Sequence, residues 1–139
     1  MNTSRIFRLT VLCIMTAILT LTTANAQSEA EVSADAQKWL SLVDDLKYEE
    51  SWKEASSMFR NEVTQDQWIA DLTRSRKPLG ALVSRTRTRI QFAKSLRGAP
   101  DAEYVILHFQ TTFANKTATE RLTLVKEDGR WRLAAFGIY

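Results

Sequence analysis

Cysteine occurs once in the 139 residues, at Cys13, histidine once, at His108, proline twice and glycine four times. A single cysteine closes no disulfide within the chain, so stability has to come from a packed core. One histidine with no Cys, Asp or Glu at ligand spacing beside it builds no metal site by itself. The few prolines and glycines exclude collagen-like, linker and low-complexity segments, and no internal repeat is present. A glycine-rich phosphate loop and a nucleophile motif are also missing, so no motif fixes a reaction and no cofactor is implied. Excess charge is scarce too: the net value of +3 falls to +1 without Arg5 and Arg8, which removes the main support for nucleic-acid binding.

What is present begins with an export pattern. Arg5 and Arg8 form a basic lead, residues 9–21 an apolar run and Ala24-Asn25-Ala26 a small-residue cleavage site, so residues 1–26 are expected to be a removed signal peptide. The run is interrupted by Thr10, Thr16 and Thr20 and is shorter than the ~20 residues of a membrane span. Residues 27–139 are then expected as one domain in the periplasm or outside the cell, with no span left after cleavage. Charge is asymmetric within it: residues 27–73 carry four basic and eleven acidic side chains, residues 74–139 thirteen and five.

Hydrophobic spacing divides the domain in the same way. Trp39, Leu42, Val43 and Leu46 recur at helical intervals and predict a helix over 34–49, with Asp44-Asp45 and Glu49-Glu50 on its wet face. Ser51 with Glu54, and Thr64 with Gln67, have the form of capping boxes that open two further helices, the first carrying Trp52, Ala55 and Phe59 inward, the second Trp68, Ile69 and Leu72. Pro78 and Gly80 close the helical half. From Leu82 the period becomes two, and four strands follow, separated by turns at Gly98-Ala99-Pro100-Asp101, Asn115-Lys116 and Asp128-Gly129. The expectation is an α+β fold: three N-terminal helices packed on a twisted four-stranded antiparallel sheet.

Two-residue hairpins at the last two turns would set Phe109 opposite Leu122, Leu107 opposite Leu124, and Leu124 opposite Leu133. The helix-facing side would hold Val105, Leu107, Phe109, Phe113, Leu122, Leu124, Trp131, Leu133 and Ala135, with Ile90, Phe92 and Leu96. The other side would carry Tyr104, Ile106, Gln110 and His108, the last beside Thr123.

Several of these residues together resemble the bacterial domain-of-unknown-function 4019 family. They are Trp39, Tyr48 with Ser51-Trp52, Trp68, the Arg76-Lys77-Pro78-Leu79-Gly80 stretch leading to Arg85, the 98–101 turn with Tyr104, Glu120, and the Asp128-Gly129-Arg130-Trp131-Arg132 ending. The closing Ala135-Phe136-Gly137-Ile138-Tyr139 departs from the family's Gly-Tyr-aromatic-Ile pattern. The resemblance implies an exported or membrane-attached protein and a nuclear-transport-factor-2-like (cystatin-like) cone, a curved sheet around helices, which hosts enzymes and binding domains alike.

Three sets of side chains are candidates for function. Glu120 falls on the helix-facing side opposite Thr111, where a carboxylate must be paired, hydrogen-bonded or protonated; with Tyr48 as a donor it would suit an isomerase or hydratase chemistry. The competing reading is a structural carboxylate bonded to an arginine, a helix amide or water. Trp39, Trp52, Trp68, Phe92, Phe109, Phe113 and Glu120 would line a ligand cavity, or else fill a core. Arg85, Arg87 and Arg89 alternate along one strand and would share the outer sheet face with Arg121 and Arg132, as a site for anions, an envelope protein or a second copy. A non-catalytic binding or interaction module leads, with a small apolar ligand or a protein as partner, and the buried-carboxylate enzyme is the alternative.

Overall fold

The computed structural model describes residues 26–139, so the expected signal segment, Ala26 apart, lies outside the described residues. The described residues fall into two units, 26–33 and 34–139. In the first, residues 26–33 are helical, with Ser33 Oγ donating to the Glu29 carbonyl at 2.8 Å. Everything below concerns the second.

Its first helix, α1, covers residues 34–44 and buries Ala36, Trp39, Leu40 and Val43. It stops five residues short of the expected end, at residue 44 rather than 49. There Leu46 N–H bonds to the Val43 carbonyl, Lys47 N–H bonds to the Leu42 carbonyl, and Leu46 takes φ 61°. That is a Schellman closure with leucine in the left-handed position that glycine usually occupies.

The single helix expected after it is two short ones, α2 (Tyr48–Lys53) and α3 (Ser57–Glu62). Ser51 lies inside α2 with its hydroxyl donating to the Tyr48 carbonyl, so the box predicted at Ser51–Glu54 does not form. The cap is Ser56, whose Oγ accepts from Phe59 N–H. Helix α4 (Gln65–Arg76) does open on the predicted reciprocal box, Thr64 with Gln67. It ends before Pro78 and Gly80; Gly80 has φ +79°, and a Cβ there would stand 3.0 Å from Ala114 Cβ. Among the described residues no helix is long and apolar enough to cross a membrane.

Strands β1 (Leu82–Ala93), β2 (Tyr104–Phe113), β3 (Thr117–Glu127) and β4 (Arg130–Ile138) form one antiparallel sheet in sequence order. The α+β class is as expected; among the described residues of this unit, four helices stand in place of three. The β3–β4 hairpin turns on Asp128-Gly129, both at positive φ, and pairs Leu124 with Leu133 as expected. The β2–β3 turn is wider: Phe113 N–H bonds to the Lys116 carbonyl and pairing begins at Thr112–Thr117. It is held open because Ala114 and Asn115 donate their N–H groups to Ala81 and Leu79. Partners therefore move by two, Phe109 to Glu120 and Leu107 to Leu122, and an even shift keeps every side chain on its face.

Both edge strands carry a bulge, in β1 between Arg87 and Arg89 and in β4 opposite the Thr123/Leu124 step. A bulge adds one residue, so alternation changes phase beyond it. Ile90 and Phe92 face the helices as expected, but below the β1 bulge the inward residue is Arg85, opposite Thr111. In β4, Trp131 and Leu133 are buried, Ala135 is exposed, and Phe136 takes its place inside, its ring 5.3 Å from Trp39 and 6.3 Å from Trp68. Val105, Leu107, Leu122, Leu124 and Leu133 form the inaccessible centre of the sheet's core face.

Candidate functional site

Of the six aromatic residues expected around a cavity, Trp39 and Trp68 pack on each other. Trp39, Trp68, Phe59 and Phe136 form one cluster with tilted and edge-on contacts, the geometry that opposed ring faces and edges favour. Their polar ends are satisfied: Trp39 Nε1 donates to the Ser51 carbonyl at 2.9 Å, Trp68 Nε1 to Ser51 Oγ at 2.9 Å and Trp52 Nε1 to the Val63 carbonyl at 2.7 Å. Ser51, fully buried, is thus the knot that ties α1, α2 and α4. Phe109 and Phe113 are core. Phe92 is the exception, 45% exposed on the edge strand with Trp131 beside it.

A second centre is built from charge. Asp44 ends α1, Arg76 ends α4, Arg85 is turned inward by the β1 bulge, and Glu120 sits near the start of β3. Arg85 lies between the two carboxylates and grips both. Its Nη1 and Nη2 donate to Asp44 at 2.7 and 2.9 Å, and its Nε and Nη2 donate to Glu120 at 2.6 and 3.2 Å. Arg76 closes the ring, Nη2 to Asp44 at 2.9 Å and Nη1 to Glu120 at 3.4 Å, with its guanidinium 4.5 Å above the Phe113 ring. Thr111 Oγ1 donates to Glu120 Oε2 at 2.5 Å. Two cations and two anions alternate, with no net charge. Burial works against the Arg85 charge, but its hydrogen bonds to Asp44 and Glu120 outweigh that and raise its pKa, so it is cationic at every working pH.

The position of each sequence candidate follows from this ring. Glu120 is wholly buried and both its oxygens accept from guanidinium or hydroxyl groups, which is the structural reading of that carboxylate. Arg85, expected on the outer face, is its partner, and Asp44, expected in solvent, is 14% exposed in the same ring. On the outer face Arg89 and Arg121 flank His108 as its cross-strand partners, where Thr123 was expected. Arg87, also expected on the outer face, is opposite the core residue Phe109, so the same bulge puts it on Arg85's side of the sheet, where it is exposed. Arg132 is drawn toward α2, its Nη1 3.3 Å from the Glu54 carbonyl.

Over the ring opens a cleft of about 610 Å³, within the size range of small-molecule sites. It is lined by Asp44, Leu46, Tyr48, Thr73, Arg76 and Lys77 with Gly80 and Ala81. Tyr48 is the one sequence candidate here. Burial raises its hydroxyl pKa above the ordinary 10.0, with the charge and hydrogen bond of Arg76 working the other way and Asp44 adding to the rise. Leu46, 70% exposed, stands at the rim in its left-handed conformation. The remaining cleft residues were not singled out as ligand contacts from sequence, although Arg76 to Gly80 carried part of the family resemblance. Among the described residues no group of three or more His, Cys, Asp or Glu is placed to hold a metal ion.

Comparison with known proteins gives a family. No curated protein matches the chain. A family model described as protein of unknown function (DUF4019) matches residues 35–136, which takes in the four ring residues, the cleft and the sheet nearly to its last strand's end. The chain belongs to the DUF4019 family.

Proposed function

We propose that this protein is a non-catalytic binding module that holds a small amphipathic molecule in the cleft over the Asp44–Arg76–Arg85–Glu120 ring. The reading is carried by one observation: an open cleft of suitable size lies beside titratable groups that are tied to each other. A general base must turn a lone pair to its substrate, and Glu120 spends its oxygens on Arg76, Arg85 and Thr111. The ring instead serves as a rigid, neutral floor, because alternating bidentate contacts fix four elements at once. Above it Leu46, Gly80 and Ala81 offer an apolar wall, and the Tyr48 hydroxyl and Lys77 offer polar contacts.

The same proposal includes export through residues 1–26, whose pattern supports delivery to the periplasm or beyond. It also includes a nuclear-transport-factor-2-like cone, supported by the bulged antiparallel sheet with helices against its core face.

The test uses N-phenyl-1-naphthylamine, an uncharged fluorescent probe, titrated into the full chain and followed by amide chemical shifts. Saturable shifts at Leu46, Thr73, Gly80 and Ala81, with affinity at least tenfold weaker in Thr73→Trp, are expected. Shifts confined to other surfaces, or unchanged affinity in that variant, would refute the reading.

A further inference from the structure

The outer face of the sheet holds a second concavity, of about 440 Å³, which the cleft does not involve. It is lined by Met58 of α3, Leu96 and Arg97 of the β1–β2 connection, Arg121 and Thr123 of β3, Ala135 of β4, and Tyr139, among others. Two features separate it from an ordinary solvated sheet face.

The first is charge without a partner. Arg76, Arg85, Arg89 and Arg132 all donate to oxygen acceptors within the chain. The Arg97 and Arg121 side chains have no hydrogen bond or ion pair among the described residues. Both are exposed and both border the same groove. His108, between Arg89 and Arg121 in register, brings no carboxylate to neutralise them.

The second is a shape fixed in advance. Tyr104, buried in the sheet, donates its hydroxyl to the Pro100 carbonyl at 2.6 Å. Ala99 N–H closes a turn on the Leu96 carbonyl at 3.1 Å. The segment that carries Arg97 is therefore pinned before any ligand arrives. On the other side the Tyr139 ring lies down on Gly137, so close that a Cβ there would stand 2.7 Å from Tyr139 Oη. Glycine at 137 is what lets that ring form a wall. A groove whose walls are already ordered binds with less loss of freedom.

We propose that this groove binds a small anionic amphiphile, with its carboxylate or phosphate head between Arg97 and Arg121 and its apolar body along Met58, Leu96 and Tyr139. Guanidinium pairs suit such oxyanions because each offers a planar fork of donors. The proposal stands apart from the cleft and does not depend on it.

Decanoate, decyl phosphate and the uncharged 1,2-decanediol are titrated separately into the full chain below their aggregation limits, with amide shifts as the readout. Saturable shifts at Arg121, Thr123 and Ala135 with one or both anions, at least tenfold weaker in Arg97→Gln and in Arg121→Gln and weaker again at high salt, are expected. The tighter of the two anions identifies the head group as phosphate or carboxylate. Arg89→Gln, on the same face but outside the groove, is expected to bind like the wild type. Equal binding of the diol, no shift at Thr123 and Ala135, or undiminished affinity in both groove variants would overturn the proposal. Both substitutions are on exposed side chains without partners among the described residues, and an unchanged circular dichroism spectrum confirms that the fold is kept.

Discussion

Arg85 and Glu120, 35 positions apart in sequence, meet in a two-pronged contact, Nε to Oε2 at 2.6 Å and Nη2 to Oε1 at 3.2 Å. With Glu120 inaccessible and Arg85 11% exposed, the contact lies where charges gain little from water. Removing one partner of such a pair leaves the other charge stranded, at a cost of about 3–5 kcal/mol. Glu120→Gln is therefore expected to lower unfolding free energy by about 3 kcal/mol in urea titrations, and Arg89→Gln by less than about 0.5 kcal/mol. A loss below about 1 kcal/mol for Glu120→Gln would mean the ring does not hold the fold.

Ser51 ties three helices through one hydroxyl and one carbonyl. Ser51→Ala keeps the carbonyl but leaves the buried Trp68 Nε1 without an acceptor, which costs about 1–3 kcal/mol. The expected result is that loss in stability together with a changed near-ultraviolet circular dichroism band. An unchanged band with wild-type stability would show that Trp68 finds another acceptor.

Tyr48 gives a test by pH. Its folded-state pKa is raised above the ordinary 10.0, so the folded state holds its proton longer than the unfolded state does. The contribution to stability is fully present below pH 10 and is lost as pH rises through the folded-state value. The difference absorbance at 295 nm between wild type and Tyr48→Phe is expected to titrate with a midpoint above 10. In Tyr48→Phe the alkaline loss of stability is expected to be smaller. A midpoint at or below 10 would contradict the burial of this hydroxyl.

Leu46 separates stability from binding. A leucine at φ 61° in a helix-closing position carries strain that glycine does not. Leu46→Gly is expected to raise stability by about 0.5–1 kcal/mol while weakening binding of N-phenyl-1-naphthylamine in the cleft. A variant that gains stability and binds equally well would remove Leu46 from the site.

Much of the fold was legible because its signals are local. The Thr64–Gln67 box, the Pro78–Gly80 stop, the Asp128-Gly129 turn and the period-two runs each depend on neighbours in sequence, and each formed where expected. The failures trace to bulges and to one turn. Alternation predicts a face only while the phase holds, and a bulge in each edge strand reversed it, sending Arg85 inward and exchanging Ala135 for Phe136. The β2–β3 turn took four residues because its amides are held by Leu79 and Ala81, far away in sequence.

The ring was half legible for the same reason. Glu120 stood out as a carboxylate on a core face, and an arginine partner was one of its expected readings. Asp44 looked like a solvated helix residue because nothing near it in sequence marks the end of α1; the stop is a leucine in a conformation that usually belongs to glycine. Arg76 lay in a stretch already noted as distinctive, but a terminal helix arginine is ordinarily a surface residue, favoured there by the helix dipole.

Native mass spectrometry of the protein purified gently from its own cells, wild type beside Thr73→Trp, reads occupancy of the cleft directly. The expected result is a wild-type adduct that releases one defined small molecule, and a Thr73→Trp chain that is bare. A wild-type chain without adduct, or an adduct held equally by both, would contradict a ligand seated in the cleft.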